Sequence, residues 1–282
     1  MRRKTITVVL IVIMLIGLSL LLYPTASDYW VSCVQSKTMV EYTETVANND
    51  DMDNRRLWSE AVSYNESLAK TGFRWSMTDE DKETYNQILN VGSKGMMSYI
   101  EIPKINCRLP ICHGIEEENL KTAVGHLPGT SLPVGGTSSH CVLSAHRGLP
   151  SARLFTDLEK LEEGDEFLIQ TLDEVLTYKV DQIQVVEPSD LDKLMITDGM
   201  DYCTLVTCTP YGINTHRLLV RGVRVETATI DGEPTPLERV QPTPDIPVVL
   251  LAVPVILVLV IVLLIIMKRR KHKDMKSKLK EN

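Results

Sequence analysis

A cysteine and an arginine stand at the two mouths of one loop in TLVTCTPYGINTHRLLVRG, residues 204–222. An apolar run ends on Cys208, eight turn-prone and polar residues follow, and Arg217 opens a second β-branched, apolar run. In an antiparallel hairpin, residues equidistant from the turn face each other and successive side chains alternate in face. Pro210, Gly212 and Asn214 supply turn chemistry. A symmetric loop therefore places Cys208 and Arg217 opposite one another, pointing the same way. A fixed cation beside a thiol favours the thiolate, its nucleophilic form. A guanidinium also donates to a developing oxyanion. The pattern is that of a nucleophile with an electrostatic stabiliser.

Such chemistry also needs a proton carrier. The histidines are His113, His126, His140, His146, His216 and His272. His216 neighbours Arg217 and so points to the other face of its strand. His146 ends the apolar run CVLSA and precedes RGLPS. That is a strand end followed by a turn, where barrel proteins collect reactive groups, and His146 ranks first. His140 and His146 lie six residues apart, on one face of a regular strand, but with no clear third ligand the zinc signal is weak. A single cysteine ending a strand is more often a small core residue. The ordered string, not any one residue, carries the case.

The elements that must position these groups read as follows. Residues 23–90 are polar and charge-rich, with apolar residues at loose helical spacing (Val40, Val46; Leu57, Ala61, Tyr64, Leu68), and predict one or two helices. The stretch 71–81 interrupts them, and 83–90 predicts a further short helix. From Gly95 onward the runs MMSYIEIP, CRLPIC, HCVLSAHR, DEFLIQTL, VLTYKVDQIQVVEP, YCTLVTC and HRLLVRGVRVET alternate with Pro, Gly, Asn and Asp. This is the mainly β pattern of a barrel or sandwich over 91–226, with a helical interruption expected at 151–161. The Pro-rich segment 227–245 reads as a linker.

The two ends are different. After the basic residues 1–4, residues 5–22 contain no charge, the short limit for a bilayer span; a retained anchor is favoured over a signal peptide. Residues 246–267 are 22 uncharged residues with Pro247 near the start and Pro254 internal, and the basic tail 268–282 follows. They read as a transmembrane helix, because in lipid only a helix satisfies its own backbone. Basic outer flanks put both termini in the cytoplasm and the middle outside the cell membrane, a multi-pass arrangement. The chain carries 30 Lys and Arg against 37 Asp and Glu. Setting aside the basic ends leaves 19 basic and 35 acidic residues, about −16, which argues against nucleic acid as a partner. The six cysteines form no CxxC pair, and about 220 residues can bury a core without staples, so mostly reduced, buried thiols are expected.

TLVTC followed nine residues later by arginine, with an upstream SAHRG, resembles the sortases, cysteine transpeptidases of the Gram-positive surface. The longer string CTPYGINTHRLLVRG is similar to the pilus-assembling class C, as are SYIEIPKI (98–105), LPICHG (109–114), GHLPGTSLPVGG (125–136), HRGLPSARLFTDLEKL (146–161) and YKVDQIQVVEP (178–188). The resemblance covers roughly residues 85–226. It implies a closed eight-stranded β-barrel with N-terminal helices and short helical insertions, plus two transmembrane helices. It also implies Cys208 as nucleophile, His146 as acid and base, and Arg217 as holder of substrate and oxyanion. The implied partners are pilins bearing LPxTG-like sorting signals, with a pilin lysine as acyl acceptor; no metal or organic cofactor is implied. Two alternatives stand beside it: a cell-wall-anchoring sortase of another class, using a peptidoglycan amine or water, and a non-enzymatic anchored surface protein.

The family further implies a lid over the cleft carrying an Asp-Pro-aromatic motif. Here the matching region reads GFRWSM, with Phe73 in place of Asp, Arg74 in place of Pro and Trp75 as the aromatic. LPGTS (127–131) looks like a sorting signal, but it lies over a hundred residues before the C-terminal apolar run, inside the barrel region. It is therefore read as part of the fold.

Overall fold

The computed structural model describes residues 2–74, 76–91, 95–227, 229–230, 233–234 and 246–247. They fall into two units, one formed by the start of the chain up to Tyr29 and the other lying within Trp30–Pro244. The expected second membrane helix (246–267), the basic tail, most of the 227–245 linker and Trp75 lie outside the described residues. Within the linker region, Thr229–Ile230 pairs with Glu233–Pro234.

Helix α1 runs Arg2–Asn48 with Pro24 inside it. The boundary expected after residue 22 is thus not a break, because 25–48 contains neither Gly nor Pro to stop the helix. Among the described residues this is the one helix long and apolar enough to cross a membrane. Its Ile6, Leu10, Ile13, Leu20 and Leu21 are exposed.

In the second unit, α2 (Asp51–Thr71) begins where the Asp50 side chain accepts from Met52 N–H and ends at Gly72, φ 78°. Its first turn is acidic and its last basic, as the helix dipole favours. Thr78 and Asp81 form a reciprocal capping box that starts α3 (Asp79–Gln87), four residues before the expected start. Polar side chains tie these helices to the barrel. Tyr42 donates its hydroxyl to Met97 O (3.0 Å) and accepts from Leu172 N–H (2.7 Å). Asn65 donates to Leu132 O and Gly135 O and accepts from Leu132 N–H.

Eight strands close a barrel in the order β1-β2-β3-β4-β7-β8-β6-β5. They are β1 (Met96–Ile102), β2 (Cys107–His113), β3 (Val124–His126), β4 (Ser139–Ser144), β5 (Glu166–Thr171), β6 (Glu174–Val186), β7 (Asp201–Thr209) and β8 (His216–Val225). The β2–β3 and β4–β7 pairs are parallel and the others antiparallel. The short β3 has no counterpart among the sequence runs. A four-residue helix, α4 (Glu117–Leu120), precedes it. The helix expected at 151–161 is absent. Leu154 takes φ 41°, which an α-helix does not admit, and only a 3-10 turn at Leu158–Lys160 forms.

Ile100, Ile111, Leu143, Phe167, Ile169, Tyr178, Cys203, Leu205 and Val220 are fully buried core side chains. The Phe167 and Tyr178 rings stack at 5.5 Å over Gly222. A Cβ there would sit 2.7 Å from the Phe167 ring and 2.9 Å from Tyr178 Cβ. Gly222→Ala is expected to lower stability by about 1–3 kcal/mol through overpacking, read by thermal or urea unfolding. An unchanged midpoint would contradict this packing.

Candidate active site

The β7–β8 ladder pairs Cys208 with Arg217, as the symmetric loop predicts. The turn closes on Pro210, whose carbonyl accepts from Ile213 N–H (3.1 Å) and Asn214 N–H (2.9 Å). Gly212 (φ 76°) and Asn214 (φ 62°) adopt the left-handed backbone that reverses the chain. The preceding Thr209–Pro210 bond is cis. Arg217 Nη1 donates to the Asn214 and His216 carbonyls (3.3 and 3.0 Å), which holds the guanidinium against its own hairpin.

Strand alternation decides which way the sulfur points. Cys203 and Leu205, both 0% exposed, face the barrel interior, so Val206 and Cys208 face outward. Cys208 is half-buried. On β8, Arg217 and Leu219 share that outer face.

His146 follows β4, two residues past its end. Strands β4 and β7 pair in parallel with a constant offset of 62 residues, from Ser139↔Asp201 to Ser144↔Val206. The contact continues past the strand: Ala145 N–H donates to Val206 O (3.2 Å), and Thr207 Oγ1 donates to Ala145 O (2.8 Å). Extended two residues past Ser144, the same offset would set His146 level with Cys208. The His146 carbonyl then accepts from Phe155 N–H (3.1 Å), which anchors the turn to a fully buried ring. Three residues far apart in sequence thus share one end of three adjacent strands.

Behind them lies an apolar floor. Val142, Leu194 and Leu219 are buried there, with Leu127, Val186 and Val206 packed against them. Phe73 completes this cluster, so a side chain of the segment before α3 covers the outer face beside Cys208. Arg74 N–H donates to Gly129 O (3.3 Å), and its guanidinium pairs with Asp81 (3.1 Å). Gly129 has φ 85°, and a Cβ there would collide with the Arg74 carbonyl, so the LPGTS turn is shaped to receive this segment.

The remaining histidines are occupied elsewhere. His126, fully buried, accepts the Tyr85 hydroxyl at Nδ1 (2.8 Å) and donates from Nε2 to Ser131 O (2.8 Å). His113 is bonded to the Gly95 and Ile88 carbonyls, and burial pushes its pKa down. His140 bridges Met195 O and the Thr204 hydroxyl, where burial lowers its pKa to about 4. His216 pairs with Glu187 (3.2 Å), off the Cys208 face as expected. Among the described residues no cluster of three His, Cys, Asp or Glu could hold a metal ion. None of the six cysteines is in a disulfide; burial pushes Cys107 up to about 12 and raises Cys203 well above its ordinary value.

The apolar floor was not named from sequence, although it had a signal. Val142–Leu143, Leu205–Val206 and Leu218–Leu219–Val220 are consecutive apolar residues, the mark of strands covered on both faces.

The Sortase domain family matches residues 100–225. A crystal structure of sortase C1 from Streptococcus agalactiae is 51% identical, with a TM-score of 0.65 over 66% of this chain and 97% of that one. Sortase C from Streptococcus pneumoniae is 43% identical, with a TM-score of 0.61 over 67% and 97%. Sortase D of Bacillus subtilis is 30% identical over 129 residues, 45% of this chain and 62% of that protein. Sortase A of Streptococcus agalactiae is 31% identical over 39% of this chain and 45% of its own length. The chain thus spans less than two thirds of these curated relatives. With a class C enzyme matched at 51% identity over nearly its whole length, the chain belongs to the sortase family, in its class C branch.

Proposed function

We propose that the protein is a membrane-anchored cysteine transpeptidase that joins pilin subunits. The observation that supports this reading is the pairing of Cys208 with Arg217 across β7 and β8, with His146 two residues past the end of the neighbouring parallel β4. The Cys208 thiolate attacks the Thr carbonyl of an LPxTG-like signal, and Arg217 steadies the tetrahedral oxyanion. His146 gives a proton to the departing amine. The thioacyl group is then opened by a pilin lysine amine, whose proton His146 accepts. One amide is exchanged for another, and the covalent nucleophile splits the exchange into two easier acyl transfers. No step calls for a metal or organic cofactor. The pneumococcal sortase C has a pilin substrate specificity, which supports pilins as substrates here.

In this reading residues 71–81 act as a lid, with Phe73 on the apolar floor and Trp75 as its second aromatic. Both termini lie in the cytoplasm, with residues 5–22 and 246–267 spanning the membrane and the barrel outside. The full chain in detergent, incubated with an LPxTG-like peptide, should gain the mass of the acyl fragment on Cys208. Added pilin should convert that adduct into isopeptide-linked ladders. Ladder formation separates the pilus reading from wall anchoring, and absence of any adduct would leave an anchored surface protein.

A further inference from the structure

The residue after His146 is a buried cation that the proposed reaction does not use. The Arg147 side chain is only 1% exposed. Its Nη2 donates to Glu159 Oε2 (2.6 Å), and its Nη1 lies 3.5 Å from the Thr209 hydroxyl oxygen. Its guanidinium carbon lies 5.7 Å from the centre of the Tyr211 ring. Tyr211 in turn packs on Gly148, where a Cβ would come within 2.9 Å of the ring. Glu159 itself is more than half exposed, and the Arg147 Nε is buried with no partner.

These contacts join the two halves of the site. Thr209 follows Cys208 in the chain, Tyr211 belongs to the β7–β8 turn, and Arg147 follows His146. Past Ser144 the strand pairing between β4 and β7 ends. Beyond it the Ala145 bonds to Val206 and Thr207 carry the contact one residue further, short of His146 itself. We propose that Arg147 is a positioning residue that locks the His146 turn onto the Cys208 strand end and its hairpin. The inference rests on the transpeptidase reading above. A guanidinium suits the task because its planar fork donates in several fixed directions at once and stacks on an aromatic ring; an ammonium does neither. Burying a charge with an incomplete set of partners is costly. Here the cost is incurred between the turn that carries His146 and the hairpin that follows Cys208. A misplacement of about 1 Å between reacting groups can cost roughly 10²-fold in rate.

The test compares the full chain in detergent with Arg147→Met, Arg147→Lys and Tyr211→Leu, using an LPxTG-like peptide. Arg147→Met keeps volume and removes the fork; its kcat is expected to fall by about 10–100-fold with KM within about threefold. Arg147→Lys should recover only part of the loss, and Tyr211→Leu should lose several-fold in kcat. A folded Arg147→Met protein with wild-type kcat overturns the inference, as does a loss confined to KM. If Arg147→Met does not fold, Tyr211→Leu decides: a kcat within twofold of wild type overturns the proposal, and a several-fold loss supports it. A wild-type protein that forms no Cys208 adduct overturns the parent reading, and this inference with it; equal rates in wild type and Arg147→Met overturn this inference alone.

Discussion

Cys208→Ala protein is expected to form no thioacyl adduct and to cleave an LPxTG-like peptide on the order of 10⁴-fold more slowly than wild type, or worse. Without the sulfur there is no covalent intermediate, and neither His146 nor Arg217 can replace a bond-forming atom. Three of the other thiols are poorly placed to substitute. Cys203 and Cys141 are buried within the β4–β7 wall, and burial holds Cys107 protonated. Arg217→Ala is expected to lose about 10²–10³-fold in kcat, the usual cost of one oxyanion donor. Arg217→Lys should keep a cation at the same ladder position without the planar fork, and recover part of that loss. Intact-protein mass spectra after mixing with peptide separate the two variants. Arg217→Ala should still accumulate some adduct, slowly, whereas Cys208→Ala shows none. An adduct on Cys208→Ala would move the nucleophile elsewhere.

The site was legible in the sequence to the extent that it depends on local order. The hairpin's equal arms made Cys208 and Arg217 partners before any coordinates, because antiparallel register is set by loop length. His146 was reached through its place at a strand end and through family resemblance. Its level with Cys208 depends on the parallel β4–β7 pairing, a contact between strands about 60 residues apart, which no local pattern encodes. The strands with long β-branched runs were visible; β3, three residues long and containing Gly125, was not. The stretch SARLFTDLEKL has helical spacing, but tertiary contacts override it. Phe155 is drawn into the core and bonded to the His146 carbonyl, and Leu154 is turned to positive φ. Arg147 stayed illegible for a related reason. On a sequence it is one more charge after a histidine, and its role exists only through Glu159, Thr209 and Tyr211. Phe73 was read as a break from the lid pattern, yet its ring lies on the apolar floor, which an aromatic side chain can cover and an aspartate cannot.

The wild-type fold is expected to lose about 3 kcal/mol between pH 6.5 and 4 on account of His140 alone. This imidazole is 1% exposed, donates from Nδ1 to Met195 O (3.0 Å) and accepts the Thr204 hydroxyl at Nε2 (2.7 Å). Burial, reinforced by the Arg221 charge, lowers its pKa to about 4, against the ordinary 6.5 of an unfolded chain. A folded pKa below the unfolded one means that the unfolded chain takes the proton first as pH falls. The stability is therefore fully present above pH 6.5, declines as pH drops, and is gone below about 4. At about 1.4 kcal/mol per unit, the gap of about 2.5 units gives the figure of about 3. Carboxylates titrate in the same window, so the measurement is a difference: melting temperatures at pH 7.5 and 4.5 for wild type and His140→Asn. The asparagine amide can still donate to Met195 O and has no charge to gain. Its pH-induced drop should be smaller than the wild-type drop by roughly 5–10 °C. Equal drops would show that His140 does not couple the fold to acid. The consequence reaches the site, because Met195 adjoins Leu194, which packs on the apolar floor beside Cys208. Protonation makes Nε2 a donor, so the Thr204 hydroxyl must turn to accept from it, while the Nδ1 bond to Met195 O persists. Peptide KM should be raised at neutral pH in His140→Leu, where the bond to Met195 O is missing along with that to Thr204.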